Sequence, residues 1–476
     1  MAMEKKQHKL AFARRVSLFQ ILNRRESRSK IMNKRKIFQN PKVNKKISIR
    51  AGLNDGKHTG TWRGRVIDFY QSIIPSFCDI SHQIWLVTPQ DVAEFYEKLK
   101  TDKFDFSQIE YVCMCETIAD VYDIIDFLTL LRKKVPDRAK FIYLNFNWKL
   151  VPFFLVTGFL GFSRRRKLGD FYSERDLDCF FDMAGWENVK RIKRYMLPIK
   201  IPVLSLFFDN FLVRLPLFNH FALNTFYIAR KSYRKSDLDH SVSVIIPCKN
   251  EEPNIEPILK RMPAFGKSLE FVFINDASSD GTQEEIQSAQ AMSPDKNIKL
   301  VQGKGEGKGI AVRQGMKVAS GDICMIMDAD LTVIPEDLPQ FYQAMKMHRA
   351  DFIHGTRLVY AQEHRSFRFA NILGNKVFSV LFSYILDQHT SDTLCGTKVF
   401  WRRDWPLFEE MREKLGDRDI WGDYNLIFGA SRYGLKIAQL PVRYFERLEG
   451  VTKMNKRFRN GIVMLRVAWH ALWKVK

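Results

Sequence analysis

Apolar residues occur along this chain in short runs, each closed by a polar or glycine-rich stretch and followed by a segment with helical spacing. In the first half, residues 84–87, 109–115 and 141–144 predict strands, and 91–99 and 119–134 predict helices. The second helix carries Ile124, Phe127, Leu128 and Leu131 on one face. Ser173-Glu174-Arg175-Asp176 opens another helix, to near Gly185, with a capping-box pattern. From Ser241 the rhythm tightens. Residues 241–247 (SVSVIIP), 270–274 (EFVFI), 299–302 and 323–327 (ICMIM) predict strands, each running into a polar loop. Strands read as unbroken apolar runs when both sheet faces are covered, so the pattern predicts α/β layers around a mostly parallel sheet.

The last of these strands ends at Asp328-Ala329-Asp330. On an extended strand, residues i and i+2 share a face. Asp328 and Asp330 then converge at the strand's C-terminal edge, where open α/β sheets bind ligands. Such a pair suits Mg2+ or Mn2+, hard cations that also accept phosphate oxygens. The plain alternative is an acidic, solvated turn. The stretch GKGEGKG at 303–309 does not fit G-x-x-x-x-G-K-[ST], which excludes a P-loop. Its glycines instead let backbone approach a ligand, with Lys308 near phosphate.

Composition adds boundaries. A chain of 476 residues exceeds one core, so two or three domains are expected. The net charge of +23 is concentrated at the front: residues 1–50 hold 16 Lys or Arg against Glu4 and Glu26. That segment reads as a basic, disordered tail. Phe12, Val16 and Phe19 also space a short amphipathic helix, open to a membrane patch, a nucleic-acid contact or a transit peptide. Nucleic acid is not an expected partner of the chain as a whole. The seven cysteines form no C-x-x-C pair, and Cys113, Cys115, Cys248 and Cys324 sit in or beside apolar runs, as suits reduced thiols in a cytoplasmic protein. The longest nearly unbroken apolar run, residues 150–162, is 13 residues and contains Pro152, too short for a membrane span. No secretory signal fits the polar N-terminus. Residues 232–240 read as a linker between a domain at 51–231 and one at 241–455.

The first domain loosely resembles the latter part of a class I S-adenosylmethionine-dependent methyltransferase, through YVCMCETIADVYDIIDFLTLLRKKVP, SERDLDCFFDMAGWENV and TFYIARK. No G-x-G-x-G loop follows a first strand, and the glycines at 52–64 lack the strand such a loop needs, so a degenerate, non-catalytic scaffold or docking module is expected. Residues 241–455 resemble a family 2 glycosyltransferase of the GT-A fold, nearest to dolichyl- or polyprenyl-phosphate glycosyl synthases. The pieces that carry this are, in order, IIPCKNEEPNI, INDASSDGT, GKGEGKGIAVRQG, GDICMIMDADL, HGTRLV, SDTLCGTKVFWR and PVRYFERLEGVTKM. Asn275 and the Cys248-Lys249 pair depart from the family pattern without removing a metal ligand.

The resemblance implies a UDP- or GDP-hexose donor, contacted by Pro247, Glu251, Asp276, Asp280, Lys308 and Asp328. Asp276 and Asp280 would face the base and ribose, where acceptor-only carboxylates select N–H and O–H donors. Asp328 and Asp330 would hold the metal against the diphosphate, and Arg357 would brace phosphates with its fork of donors. Asp392 or Asp423 would serve as general base for a hydroxyl acceptor. A polyprenyl phosphate acceptor needs a basic clamp instead, for which Arg447 and Lys453 are the candidates. Helical stripes at 371–386 (Phe378, Leu381, Phe382, Ile385) and 456–476 (Phe458, Ile462, Leu465, Trp469, Leu472) suggest peripheral contact with the cytoplasmic face of a membrane. Three readings follow: transfer to a polyprenyl phosphate, transfer to a hydroxyl of a glycan, lipid or protein, and an inactive scaffold.

Overall fold

The computed structural model describes residues 62–476 apart from short interruptions, the longest at 161–170, 358–368 and 446–456. The basic tail, most of the 52–64 glycine cluster, Phe458, Arg447 and Lys453 therefore lie outside the described side chains. Helix α1 (Trp62–Ile73) precedes β1 (Ile84–Val87), α2 (Val92–Lys100), β2 (Tyr111–Thr117), α3 (Ile124–Lys134), β3 (Lys140–Phe146), α4 (Val151–Phe159), α5 (Glu174–Met183), β4 (Trp186–Arg194) and, after short helical turns across 202–221, β5 (Asn224–Lys231). These strands form one sheet in the order β1-β2-β3-β5-β4, with the first three parallel and β5 antiparallel to both neighbours. The helix expected over 119–134 begins only at Ile124. Asp123 takes the Asp126 N–H on its side chain and so fixes the N-cap. At α5 the box forms as read, with Ser173 and Asp176 exchanging backbone-to-side-chain bonds.

The second sheet is built from β6 (Ser241–Cys248), β7 (Ser268–Asn275), β8 (Asn297–Gln302), β9 (Ile323–Ile326), β10 (Phe352–Thr356), β11 (Lys398–Trp401) and β12 (Ile437–Pro441). Its helices are α6 (Glu252–Arg261), α7 (Thr282–Met292), α8 (Lys308–Val318), α9 (Leu338–Lys346), α10 (Phe369–Leu386), α11 (Trp405–Leu415), α12 (Tyr424–Arg432) and α13 (Arg457–Val475). The order is β12-β10-β11-β9-β6-β7-β8. Strands β8, β7, β6 and β9 run parallel, and β11 enters antiparallel between β9 and β10. The sheet is thus mixed and mostly parallel. Both faces are covered: Ile245 of β6 joins a core with Phe382, Phe408 and Phe428, while Val244 and Ile246 join one with Phe341 and Tyr342. This two-sided burial is why β6 reads as an apolar run rather than an alternation.

One expectation needs correction. The apolar stripe of α10 faces protein: Phe382 and Ile385 are fully buried, Phe378 and Leu381 pack on the same core, and Val377 and Val380 are the exposed ones. On α13, Leu472 is buried while Ile462, Leu465 and Trp469 remain exposed. Each helix packs one side inward, as a globular core requires.

Charged groups join the two sheets within one compact unit. Asp351, beside β10, accepts from Lys140 of β3 at 3.2 Å, Arg230 of β5 at 2.9 Å and the Lys436 backbone N–H at 2.9 Å. Lys190 of β4, 1% exposed, donates to Ser431 Oγ, Ser431 O and Val475 O at 2.9–3.1 Å. Burial alone would raise the Asp351 carboxyl, yet Arg230 and Lys140 hold it well below its usual range. Its stabilising charge is therefore present above the unfolded value of 3.8 and is lost as pH falls below it. Asp351→Ala leaves the buried Lys140 ammonium without its carboxylate, while Arg230 keeps Glu187 at 2.6 Å, and is expected to destabilise the protein by about 3 kcal/mol. Chemical denaturation should show this loss at neutral pH and a smaller difference from wild type in acid.

Candidate active site

The loops after β6, β7, β8 and β9 gather at the C-terminal edge of the parallel strands, as doubly wound sheets arrange their sites. Three non-glycine residues with positive φ lie there: Asn250 at 56°, Ala277 at 54° and Leu331 at 54°. Backbone of this kind costs free energy and concentrates where loops are shaped for a ligand.

Strand β9 ends at Ile326, and Asp330 belongs to the turn that follows it. The i, i+2 argument for a shared face therefore does not apply, because the backbone is no longer extended at Asp330. The two carboxylates differ in surroundings. Asp328 is half-buried and takes the Lys308 ammonium at 2.7 Å on Oδ1. Asp330 is 8% exposed and accepts both the backbone N–H and the hydroxyl of Thr332, at 3.2 and 2.7 Å.

Lys308, the first residue of α8, is the hub of the crevice. Its ammonium lies 2.7 Å from Asp328 and 3.7 Å from Asp423. Burial alone would lower its pKa, but the Asp328 and Asp423 carboxylates raise it above the ordinary lysine value. Asp423 also faces Lys398 of β11, at 3.4 Å. Two close approaches permit this grouping. A Cβ on Gly396 would collide with Asp328 Oδ2 and crowd Lys308 Nζ. A Cβ on Gly422, whose φ is +73°, would collide with the Gly309 backbone. Glycine at 422 thus lets the loop carrying Asp423 rest on the start of α8.

Several predicted ligand contacts also hold the loops around the crevice. Asp276, 4% exposed, takes the Gly305 and Gly307 N–H groups at 2.8 and 3.0 Å, one on each oxygen, and so folds the glycine loop in front of Lys308. Asp280 accepts from Thr282 N–H and Oγ1 and from Glu252 N–H, joining the starts of α7 and α6. Glu251, half-buried, accepts from Asn254 at 2.9 Å. Pro247 stands partly exposed near the end of β6.

Asp392 as general base is a correction. It is fully buried and accepts from Arg357 Nε at 2.7 Å, Arg357 Nη2 at 2.9 Å, Asn375 at 3.0 Å and the Arg357 and Leu394 N–H groups. Burial alone would raise its pKa, yet Arg357 holds the carboxyl well below its usual range. A carboxylate so saturated accepts no further proton near neutrality. Arg357 in turn spends its fork on Asp392 and lies over the Tyr444 ring, 5.2 Å from the centroid. The pair braces the edge of the site rather than presenting a free phosphate clamp.

Sequence reasoning missed Lys398, 2% exposed, and His354, 1% exposed. The signal for both was available: a lone cation and a lone imidazole inside apolar strands need partners. Burial first, and nearby Lys398 second, push the His354 pKa down to about 3 against the opposing pull of Asp392. The ring lies between Thr390 Oγ1 and Gln439 Nε2, each at 3.4 Å.

A divalent ion fits this chemistry in one sense. Mg2+-type ions are commonly held by one or two carboxylates and complete their shells with water and substrate phosphate. Asp328 is a hard oxygen donor already meeting a cation, Lys308. Among the described residues no group of three or more His, Cys, Asp or Glu side chains forms an all-protein cage.

Residues 243–405 match the model of the Glycosyl transferase family 2 family. A dolichol-phosphate mannosyltransferase of Pyrococcus furiosus is 39% identical over 120 residues, covering 25% of this chain and 33% of that protein. An undecaprenyl-phosphate 4-deoxy-4-formamido-L-arabinose transferase of Aeromonas hydrophila is 34% identical over 107 residues, 22% of this chain and 33% of the relative. The match thus spans about a third of the length of these curated relatives. A mannosyltransferase of Pyrobaculum calidifontis, solved with GDP-Man and Mn2+, aligns over 48% of this chain and 64% of its own at 21% identity and a TM-score of 0.32.

Gly396→Ala drives a methyl into the Asp328–Lys308 contact. Misplacement of that order at a reacting centre typically costs ~100-fold, and turnover measured on a soluble, folded variant should fall by about that much. His354 supplies a second test. Its neutral form stabilises the fold above the unfolded value of 6.5, and this is lost as pH falls toward the folded value of about 3. In His354→Gln, the slope of unfolding free energy against pH, midway between 6.5 and the folded value of about 3, should flatten by the equivalent of about one proton.

Proposed function

We propose, from the match of residues 243–405 to the Glycosyl transferase family 2 model, that the protein transfers a hexose from a UDP- or GDP-sugar to a polyprenyl phosphate, with inversion and with Mg2+ or Mn2+. The observation that carries this reading is the convergence of Asp328, Lys308, Asp423 and Lys398 at the C-terminal edge of the parallel strands. The pairing of carboxylate and ammonium there has the chemistry of a diphosphate site. The cation side takes phosphate oxygens, and the carboxylate side takes a metal carried with them.

Asp328 and Asp330 would hold the ion, and bound there it neutralises charge that develops on the departing nucleoside diphosphate. Lys308 lies within reach of the same charge and adds a second fixed cation. The glycine loop, held in place by Asp276 through the Gly305 and Gly307 N–H groups, would let the donor's phosphates approach the start of α8 and Lys308. The acceptor assignment draws support from the curated relatives, whose names specify dolichol phosphate and undecaprenyl phosphate. A phosphate nucleophile is already anionic and needs no general base. Arg447 and Lys453 are the proposed clamp for it. Residues 51–231 are read as a scaffold for the second sheet rather than a second enzyme.

Asp423 supports an alternative. Of the two candidate bases, Asp392 is committed to Arg357, and with Asp423 a sugar, lipid or protein hydroxyl becomes a possible acceptor.

Asp328→Asn should reduce transfer by ~100-fold or more while leaving the melting temperature near that of wild type. Chelation should abolish wild-type activity, and added Mn2+ or Mg2+ should restore it. Unchanged turnover in either experiment removes the metal assignment. Asp423→Asn discriminates the acceptors: continued transfer to a polyprenyl phosphate supports the phosphate reading. Lost turnover with donor binding intact supports the hydroxyl one.

A further inference from the structure

Exposed apolar side chains on a folded protein are ordinarily scattered. Here they gather on the first sheet's side of the molecule. Helix α4 leaves Val156, Phe159 and Leu160 at 57–79% exposure. The turns across 202–221 leave Val203, Leu206, Leu217 and Phe221 at 60–79%. On α13, Ile462, Leu465 and Trp469 form a third exposed stripe at helical spacing.

The three pieces are joined. Asn147, just before α4, donates to the carbonyls of His220 and Ala222 at 2.8–2.9 Å, which ties α4 to the end of the turns. Phe211, within the turns, stacks on Trp473, and Trp473 meets Trp469 edge-on at 5.3 Å. Arg214 donates to the Trp473 carbonyl, and Tyr384 of α10 donates to the Arg214 carbonyl, each at 2.8 Å. The face is therefore continuous from one sheet's helices to the other's.

Its charge is one-sided. Residues 148–160 and 461–476 contain no Asp or Glu. Across 200–223 the one acid is Asp209, buried against Arg65 at 2.6 Å. Lys149, Lys200, Arg466 and Lys474 are exposed at or beside the face. Among the described residues no helix is long and apolar enough to cross a membrane.

We propose that this face lies on an anionic lipid bilayer, with α4 and the 202–221 turns entering the boundary between headgroups and acyl chains beside the outer side of α13. An apolar surface fringed by cations, with no exposed acid in its own described segments, Glu174 beside Trp148 at one edge, and Trp469 at another, matches an interfacial lipid contact. A second copy of the chain is a poor occupant, because a two-fold contact would set these cations against their equivalents. The proposal deepens the acceptor reading, since a polyprenyl phosphate resides in a bilayer, and its purpose rests on that reading. The surface itself does not depend on it.

Flotation of the full chain with phosphatidylcholine vesicles containing phosphatidylserine tests this, at high salt so that the basic tail is screened. Wild type is expected to float. The Phe159→Glu, Leu206→Glu, Leu217→Glu triple variant alters only exposed positions and is expected to bind at least ~10-fold more weakly, with unchanged melting. It should also retain transfer to a short, water-soluble prenyl phosphate. Equal flotation of the two proteins overturns the proposal, as does wild type that stays with the buffer, including as a dimer that the variant cannot form. If wild type floats but never glycosylates the soluble acceptor, the acceptor reading fails and the lipid surface stands.

Discussion

A single lysine ammonium shared by two carboxylates sets the terms for the crevice. Lys308 stands between Asp328 and Asp423, and Lys398 balances Asp423 from the other side. Charges removed from water are costly unless paired, so each position in this alternation constrains the next. The chain brings them together with two glycines, 396 and 422, whose missing side chains allow contacts that a methyl would close. What results is a polar strip of alternating sign at the end of a parallel sheet. Fixed charges of this kind are what the proposed stabilisation of a departing diphosphate would draw on.

Around that strip, other charges are spent on shape. Asp276 uses both oxygens to hold the glycine loop, Asp280 joins two helix starts, and Asp392 fixes Arg357. The first sheet extends the same economy outward. Asp351 and Lys190 place buried charge where β3, β4 and β5 meet the second sheet, Asp351 against Lys140 and Arg230 and Lys190 against Ser431 and the Val475 carbonyl. Lys190 thereby ties β4 to Ser431 of α12 and Val475 of α13.

Much of this was readable from residue pattern, because two-sided burial writes itself as apolar runs. β6, β7 and β9 fall within a few residues of where those runs predict, and the capping box at Ser173 marks α5 to the residue. Less legible was whatever depended on the chain leaving regular geometry. Asp330 reads as the strand partner of Asp328, but the backbone turns before reaching it. The apolar stripe of α10 reads as lipid-facing, but periodicity does not say which medium covers it, and here it is the core. Asp392 looks like a base because a sequence shows a carboxylate without its guanidinium. Lys398 and His354 were overlooked because they sit in apolar strands, although that setting is itself the clue.

The account stands on Asp328 taking a divalent ion together with a nucleoside diphosphate. Mn2+ binding followed by electron paramagnetic resonance, with and without GDP or UDP, examines that contact without requiring the acceptor. Wild type should bind Mn2+ more tightly when the diphosphate is present, and replacing Asp328 with Asn should remove the enhancement. Equal Mn2+ affinity in the two proteins, with the diphosphate bound, would contradict the account.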